Sequence, residues 1–227
     1  MNLENLKEEA AKCAVEYVKS GMRVGLGTGS TAKYAILEIA RKLKSGELAN
    51  ITSVATSVAS ENLARENGII VEDFDTQMLD VAIDGADEIA PNLDLIKGAG
   101  GALLREKLVE LQAKEFIVIA DYTKIVKSLG EKVSLPIEIV RFGFESTIQR
   151  LENYGEPVLR RKTGEIYVTD NGNYIADLKF SNDNAAKLAL ELKQLSGVVE
   201  TGFFIGMANR AIVAFETEVR ELLNYQL

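Results

Sequence analysis

The chain has 227 residues, of which 47% are hydrophobic and 26% charged, with a net charge of −8 and no histidine. This length suits one large domain or two smaller ones, and no apolar run approaches the roughly 20 residues needed to span a bilayer. The negative charge argues against nucleic-acid binding, and the lack of histidine excludes histidine-based catalytic triads and the usual zinc sites. The acidic, amphipathic start is unlike a signal or transit peptide. The single Cys13 cannot form an internal disulfide and is expected to be a small core residue. We therefore expect a cytoplasmic protein.

Helical and strand patterns alternate through the first part of the chain. Helices are predicted over 3–19, 31–44, 60–67 and 102–114, and strands over 22–25, 51–56, 69–74, 78–84 and 115–121. Short apolar strands that alternate with helices indicate βαβ units around a buried parallel sheet. The predicted fold class is therefore α/β, with a Rossmann-like parallel-sheet domain.

The pattern changes at about residue 132. The segment 132–205 reads as β-α-β-β-α-β, the order of a smaller ferredoxin-like α+β domain. The segment 208–223 is predicted as a last strand and helix that return to the first domain. We thus expect a catalytic domain formed by 1–131 plus 206–227 and a smaller domain formed by 132–205.

The glycine-rich loop GLGTGSTA (25–32) joins the first strand to a helix. Its backbone N–H groups, hydroxyls and helix N-terminus are typical of a cradle for phosphate or sugar oxygens. The loop lacks the G-x-G-x-x-G spacing of dinucleotide-binding folds and the lysine of a P-loop. A tight turn in which Ser30 or Thr31 caps the helix is the open alternative.

Asp84 and Asp87 directly follow a buried strand. Ligands of open parallel sheets bind beyond the carboxyl ends of the strands, so these carboxylates are candidates for positioning a substrate. The alternative is that Asp87 caps a turn and Glu88 is solvated. Such carboxylates also suit a divalent metal, but the absence of histidine and the nearby Lys97 favour a site without one.

Lys97 and Glu106 complete the candidate chemistry. Lys97 opens the sequence KGAGG and can stabilise a phosphate or a developing oxyanion, unless it is a surface lysine before a flexible turn. Glu106 lies in the first turns of a helix, where the helix dipole favours a charged carboxylate. A general base instead needs partial burial, and the sequence leaves this conflict open.

Together these motifs resemble the type A ribose-5-phosphate isomerase family. The matching segments are GLGTGSTA (25–32), VAIDGADEI (81–89), IKGAGGALLREK (96–107), FIVIADYTK (116–124), LPIEIV (135–140) and VTDNGNYIAD (168–177). They occur in the family's order and span most of the chain.

The resemblance implies interconversion of ribose 5-phosphate and ribulose 5-phosphate through an enediolate, in the non-oxidative pentose phosphate pathway, without metal or organic cofactor. Glu106 is then the base that moves a proton between C1 and C2, while Asp84, Asp87 and Lys97 bind and polarise the sugar oxygens. The substrate-binding positions implied are Lys7, Thr28, Gly29, Ser30, Thr31, Asp84, Gly85, Ala86, Asp87, Lys97, Gly98, Ala99, Gly100 and Lys124.

Two other functions stay open at this point. A sugar-phosphate-sensing regulatory domain has similar ligand chemistry, but it needs a DNA-binding module, for which we expect no room in this chain. A nicotinamide dehydrogenase is disfavoured by the glycine spacing. The expected partner is a small sugar phosphate, with no nucleic acid and no membrane, and the resemblance implies a homodimer or homotetramer.

Overall fold

The computed structural model describes residues 2–181 and 184–223 and divides the chain into two compact units. Unit 1 comprises the described residues within Met1–Ala86, Arg105–Lys124 and Gly206–Leu227, and unit 2 comprises those within Asp87–Leu104 and Ile125–Ile205. No helix in the described part of the chain has the length and apolar character that a membrane crossing requires.

Unit 1 is built on a seven-stranded sheet in the order β16-β15-β7-β4-β1-β2-β3. Six of the strands are parallel, and only β16 at the edge pairs antiparallel with its neighbour. The strands are β1 (Arg23–Leu26), β2 (Thr52–Ala55), β3 (Ile70–Val71), β4 (Val81–Gly85), β7 (Phe116–Asp121), β15 (Arg210–Ala214) and β16 (Val219–Leu223). The predicted α/β fold with a Rossmann-like parallel sheet is confirmed.

The helices of unit 1 cover this sheet and close its main core. They are α1 (Leu3–Val15), α2 (Ala32–Ser45), α3 (Val58–Glu66) and, from Arg105 onward, α4 (Leu103–Leu111). Asn2 caps α1 by accepting a hydrogen bond from the Asn5 N–H, and Ser57 caps α3 in the same way at Ser60. Apolar faces of α1 and α2 pack with β1, β4 and β7 in one continuous buried cluster.

Unit 2 contains a four-stranded antiparallel sheet in the order β13-β8-β12-β9. Along the chain the elements are β8 (Leu135–Ile139), α5 (Phe144–Leu151), β9 (Glu156–Leu159), the hairpin β10 (Arg161–Lys162) and β11 (Glu165–Ile166), β12 (Tyr174–Lys179), α6 (Ala185–Lys193) and β13 (Val198–Thr201). A second, three-stranded sheet holds β14 (Phe203–Phe204), β6 (Leu95–Ile96) and β5 (Glu88–Ile89).

The predicted C-terminal helix is wrong. Val219–Leu223 forms β16, which pairs antiparallel with β15 in register from Arg210–Leu223 to Ala214–Val219. A turn that includes a hydrogen bond from the Phe215 N–H to the Glu218 carbonyl joins the two strands. The sequence EVRELL suits a helix by local propensity, but the open edge of the sheet supplies backbone partners that override this preference. The last four residues of the predicted segment 206–227 lie outside the described residues.

Candidate active site

Four loops of unit 1 meet at the carboxyl edge of its parallel sheet. Because β7, β4, β1 and β2 are adjacent and parallel, the residues that follow them lie side by side. Those residues are the loop 27–31 after β1, Thr56 and Ser57 after β2, Asp84 to Ala86 at the end of β4, and Asp121 to Lys124 at the end of β7.

Asp84 is held by the backbone of this edge. Its Oδ1 accepts hydrogen bonds from the Thr28 N–H at 2.9 Å and from the Gly85 N–H at 2.6 Å, and only 1% of the residue is exposed. A Cβ atom at position 27 would overlap the Asp84 carboxylate, so Gly27 is required for this approach. The buried carboxylate therefore has a fixed orientation.

A cluster of hydroxyl groups fixes the neighbouring loop. The Thr28 Oγ1 lies 2.7 Å from the Thr56 Oγ1, 2.8 Å from the Ser57 Oγ and 3.1 Å from the Ser60 Oγ. The Ser60 hydroxyl donates to the Gly27 carbonyl at 2.7 Å. Sequence reasoning missed Ser60, although its position three residues after the cap Ser57 was a usable signal.

The rest of this loop opens toward solvent and leads into α2. Gly29 and Ser30 are exposed, whereas Thr31 is buried at the N-cap position of α2, where its hydroxyl makes no capping hydrogen bond. Of the two residues in the capping alternative, Thr31 therefore occupies the N-cap position, without a side-chain hydrogen bond to the helix. The N–H groups of this helix start suit an anion.

Glu106 is a buried carboxylate near the start of α4, with only 3% of the residue exposed. The end of α4 lies beside the amino end of β4, because the Leu79 N–H donates to the Gln112 carbonyl and the Lys114 N–H to the Leu79 carbonyl. Glu106 is at the other end of the helix, one turn before Val109, which packs on Gly25 in β1. Glu106 thus lies at the end of α4 that is nearer the carboxyl edge of the sheet, and its burial shows that it is no solvated helix-terminal glutamate.

Lys124 and Lys7 are the remaining site candidates in unit 1. Lys124 ends a short 3-10 helix after β7 and is partly exposed. The Lys7 ammonium lies 2.7 Å from the Glu4 carboxylate, which also accepts hydrogen bonds from Tyr34 and Lys33. The bond from Lys7, together with that from Tyr34, lowers the pKa of Glu4 to about 2. Lys7 is thus held at Glu4 in this structure.

Asp87 and the segment Lys97 to Gly100 belong to unit 2. The Asp87 Oδ2 accepts a hydrogen bond from the Ala99 N–H at 2.9 Å, so this carboxylate does cap the glycine-rich turn. Lys97 follows β6, is 2% exposed and places its ammonium 5.3 Å from the centre of the Phe204 ring. The alternative of a surface lysine is therefore wrong.

Glu88 also departs from the sequence alternative, which made it solvated. It is fully buried in unit 2 and accepts hydrogen bonds from the backbone N–H groups of Gly130, Lys132 and Val133. A carboxyl group that accepts hydrogen bonds from three backbone donors stabilises the 130–133 loop. Its role is structural.

Comparison with known proteins identifies a family. The family model of ribose 5-phosphate isomerase A (phosphoriboisomerase A) matches residues 52–218. The ribose-5-phosphate isomerase A of Deinococcus radiodurans is 59% identical over 226 residues, which cover 98% of this chain and 99% of that protein. A probable chloroplastic ribose-5-phosphate isomerase 3 of Arabidopsis thaliana is 47% identical over 94% of this chain and 81% of its own length.

Solved structures agree. A D-ribose-5-phosphate isomerase in complex with phospho-erythronic acid superimposes with a TM-score of 0.96 at 40% identity, covering 98% of this chain and 100% of that one. The ribose 5-phosphate isomerase of Plasmodium falciparum gives a TM-score of 0.95 at 39% identity with the same coverage.

Proposed function

The chain belongs to the ribose 5-phosphate isomerase A family, and we propose that Glu106 is the base of its reaction. The enzyme interconverts ribose 5-phosphate and ribulose 5-phosphate, an aldose–ketose isomerisation (EC 5.3.1.6). Nothing in the family membership favours the regulatory alternative.

The proposed mechanism moves one carbon-bound proton. Glu106 takes the proton from C2 of the aldose, which leaves an enediolate, and returns a proton to C1 to form the ketose. The observation that carries this proposal is the burial of Glu106 toward the carboxyl edge of the sheet, where Asp84 is also fixed. A base withdrawn from water and placed at the ligand-binding edge is suited to proton abstraction.

We propose that the other charged residues bind the sugar oxygens. Asp84, Asp87 and Lys97 bind and polarise O1 and O2, and one carboxylate assists the proton transfer between these oxygens. Lys97 carries the positive charge that stabilises the enediolate, a contribution of about 3–4 kcal/mol by analogy with oxyanion-hole donors. The buried state of Lys97 supports this role, because a charge removed from water interacts more strongly with a developing anion.

We propose that the remaining positions hold the substrate. These are Lys7, Thr28, Gly29, Ser30, Thr31, Gly85, Ala86, Gly98, Ala99, Gly100 and Lys124. Gly29 and Ser30 are exposed residues just before α2, and their backbone amides and the Ser30 hydroxyl are groups that suit a phosphate contact in that loop. Phospho-erythronic acid, the ligand in the related complex, is a phosphorylated carboxylic acid whose two carboxylate oxygens resemble those of an enediolate. We propose that this chain binds it too.

The decisive test is Glu106→Gln, which keeps the shape of the side chain but removes the base. We expect isomerisation to fall by at least about 10²–10⁴-fold. Glu110→Gln is the matched control, because Glu110 lies one turn later in the same helix and is also 3% exposed. A Glu106→Gln enzyme with near wild-type turnover would overturn the assignment of the base.

An isotope experiment tests the same step independently. With ribose 5-phosphate in deuterated water, we expect solvent label at C1 of the ribulose 5-phosphate, because a base that exchanges with water carries the proton. Complete absence of label would favour a hydride shift or full internal return instead.

Lys97→Ala should lower kcat by about 10²–10³-fold in the same assay.

We also propose that the protein is cytoplasmic and acts as a homodimer or homotetramer, without metal or organic cofactor. The resemblance to the family is the support for this assembly. Light scattering on the purified protein distinguishes the two assemblies from a monomer.

A further inference from the structure

The side chains of Arg160 and Tyr167 donate hydrogen bonds to the backbone of segment 98–100 in unit 2 (the 98–100 loop). The Arg160 Nη1 donates hydrogen bonds to the carbonyl oxygens of Gly98 and Ala99, both at 3.0 Å. The Tyr167 hydroxyl donates to the carbonyl of Gly100 at 3.3 Å. Three successive carbonyl groups of the loop thus accept from residues about 60 positions later in the chain.

Arg160 is itself rigidly held. Its Nε donates to the Asp177 Oδ2 at 2.8 Å, and its Nη2 pairs with the other carboxylate oxygen. The Arg160 N–H donates to the Ile175 carbonyl, and the Arg160 carbonyl accepts from the Tyr167 N–H. Only 15% of the Arg160 side chain is exposed. The guanidinium is therefore a planar donor in a fixed position and differs from the mobile side chain of a surface arginine.

The direction of the loop carbonyls determines the direction of its amides. In a trans peptide the C=O and the following N–H point to opposite sides, and the described residues contain no cis peptide bond. The Gly98 carbonyl faces Arg160, and the next N–H, that of Ala99, accordingly reaches the Asp87 carboxylate on the other side. The Ala99 carbonyl also faces Arg160, so by the same geometry the N–H of Gly100 points away from Arg160. Gly100 is an exposed residue.

We propose that Arg160 is a positioning residue for the isomerase. By fixing two peptide units it presents the Gly100 N–H to a sugar oxygen that gains negative charge in the enediolate. This inference rests on the proposed function, in which Gly98 to Gly100 bind the substrate. A preorganised backbone donor aimed at developing charge stabilises the intermediate more than the ground state.

The test compares Arg160→Met with the neighbouring Arg161→Met. Arg161 is exposed and donates to the Gly164 carbonyl in its own hairpin, so its removal is the matched control. We expect Arg160→Met to lower kcat about 10²-fold, the loss expected for a donor misplaced by about 1 Å, with a smaller change in KM. The affinity for phospho-erythronic acid should fall by the same factor as kcat/KM, because this acid resembles the enediolate.

Two further variants keep the test conclusive if Arg160→Met fails to fold. Arg160→Lys retains the charge and Asp177→Asn retains the arginine, and each should lower kcat by about tenfold because the planar, anchored donor is lost. Equal weakening of KM and of inhibitor binding, with kcat unchanged, would assign Arg160 a purely structural role.

Kinetics within threefold of the wild type in the Arg160 variants would also overturn the inference. The base assignment is judged separately. An inactive Glu106→Gln enzyme beside fully active Arg160 variants refutes the inference alone, whereas an active Glu106→Gln enzyme refutes the assignment of Glu106 as the base.

Discussion

At the scale of single residues, the orientation of the Asp84 carboxylate depends on the absence of a Cβ atom at Gly27, which lies beside it in the structure. The Asp84 carboxylate occupies the space that a side chain on Gly27 would need, and it accepts the N–H of the next residue, Thr28. Gly27 is therefore needed to leave space for the Asp84 carboxylate as well as to form the turn. A small change at position 27 reports on the proposed role of Asp84 without altering its chemistry.

We predict that Gly27→Ala lowers kcat/KM by about 10²-fold, because the new methyl group displaces the Asp84 carboxylate by about 1 Å or more. Steady-state kinetics with ribose 5-phosphate measure the loss. Gly46→Ala is the control: Gly46 has a positive φ of 81°, so the substitution strains the backbone, but a Cβ there meets open space at the end of α2. Activity of Gly27→Ala equal to that of Gly46→Ala would contradict the prediction.

Some of these residue-level features could be predicted from the sequence and others could not. The position of Asp84 follows from a buried strand that ends in a carboxylate, a local signal. The burial of Glu106 could not be inferred, because the helix dipole and packing have opposite effects and only the tertiary structure decides between them. Arg160 gave no signal at all, since its contact with Gly98 joins segments 62 positions apart.

At the scale of elements, the position of α4 is set by a contact between a helix valine and a strand glycine. A Cβ at Gly25 would lie 2.8 Å from the Val109 Cγ1 and 2.9 Å from the Ala82 Cβ. Val109 is buried with Val54 and Leu79 in a small apolar cluster. Because Glu106 lies one turn earlier in the same helix, this contact also fixes the height of the proposed base above the sheet.

We predict that Gly25→Ala destabilises the protein by about 1–3 kcal/mol, since the added methyl group overpacks the contact. Denaturant unfolding measures the loss. Val109→Ala creates space at the same contact, so the double variant should be more stable than the sum of the two single effects predicts. Strictly additive effects would show that α4 does not rest on Gly25 in the way described.

The sequence pattern predicted elements well where periodicity and burial agree. β7 is apolar from Phe116 to Ala120, and its predicted range 115–121 differs from Phe116–Asp121 by one residue. The two-residue strands Glu88–Ile89 and Leu95–Ile96 were missed, because a strand this short has no period of its own and exists only through its partners. Val219–Leu223 became a strand in place of the predicted helix because backbone partners at the sheet edge override its local helix propensity.

At the scale of the whole molecule, the net charge of −8 opposes an anionic substrate and leaves capture to local groups. Hydrogen bonds, at least one of them from a basic side chain in each case, lower the pKa of the carboxylates of Glu4, Glu47, Asp75 and Asp80. The bond from the Lys114 ammonium, at 2.7 Å, lowers the pKa of Asp80, and the Arg23 N–H lowers it further. Arg41 and Ser45 lower the pKa of Glu47 to about 2.

These pKa shifts determine whether the free energy of unfolding rises or falls at low pH. Glu4, Glu47 and Asp80 each have a lower pKa in the folded chain than in the unfolded one, so at these three groups the unfolded chain binds more protons between the two values. The stabilisation is fully present above the unfolded values of 3.8 for Asp80 and 4.5 for Glu4 and Glu47, and it is lost as the pH falls through the folded values. The free energy of unfolding should therefore fall steadily below about pH 4.5.

We predict that the midpoint of thermal unfolding is lower at pH 3 than at pH 6, and that Asp80→Asn reduces this difference. The Asp80–Lys114 pair is mostly exposed on the lysine side, so it contributes at most about 1 kcal/mol. Lys114→Met should reduce the difference similarly, because Asp80 then loses the cation that contributes most to lowering its pKa. Equal midpoints at the two pH values in the wild type, or a larger difference in the Asp80→Asn protein, would contradict this account of its acid stability.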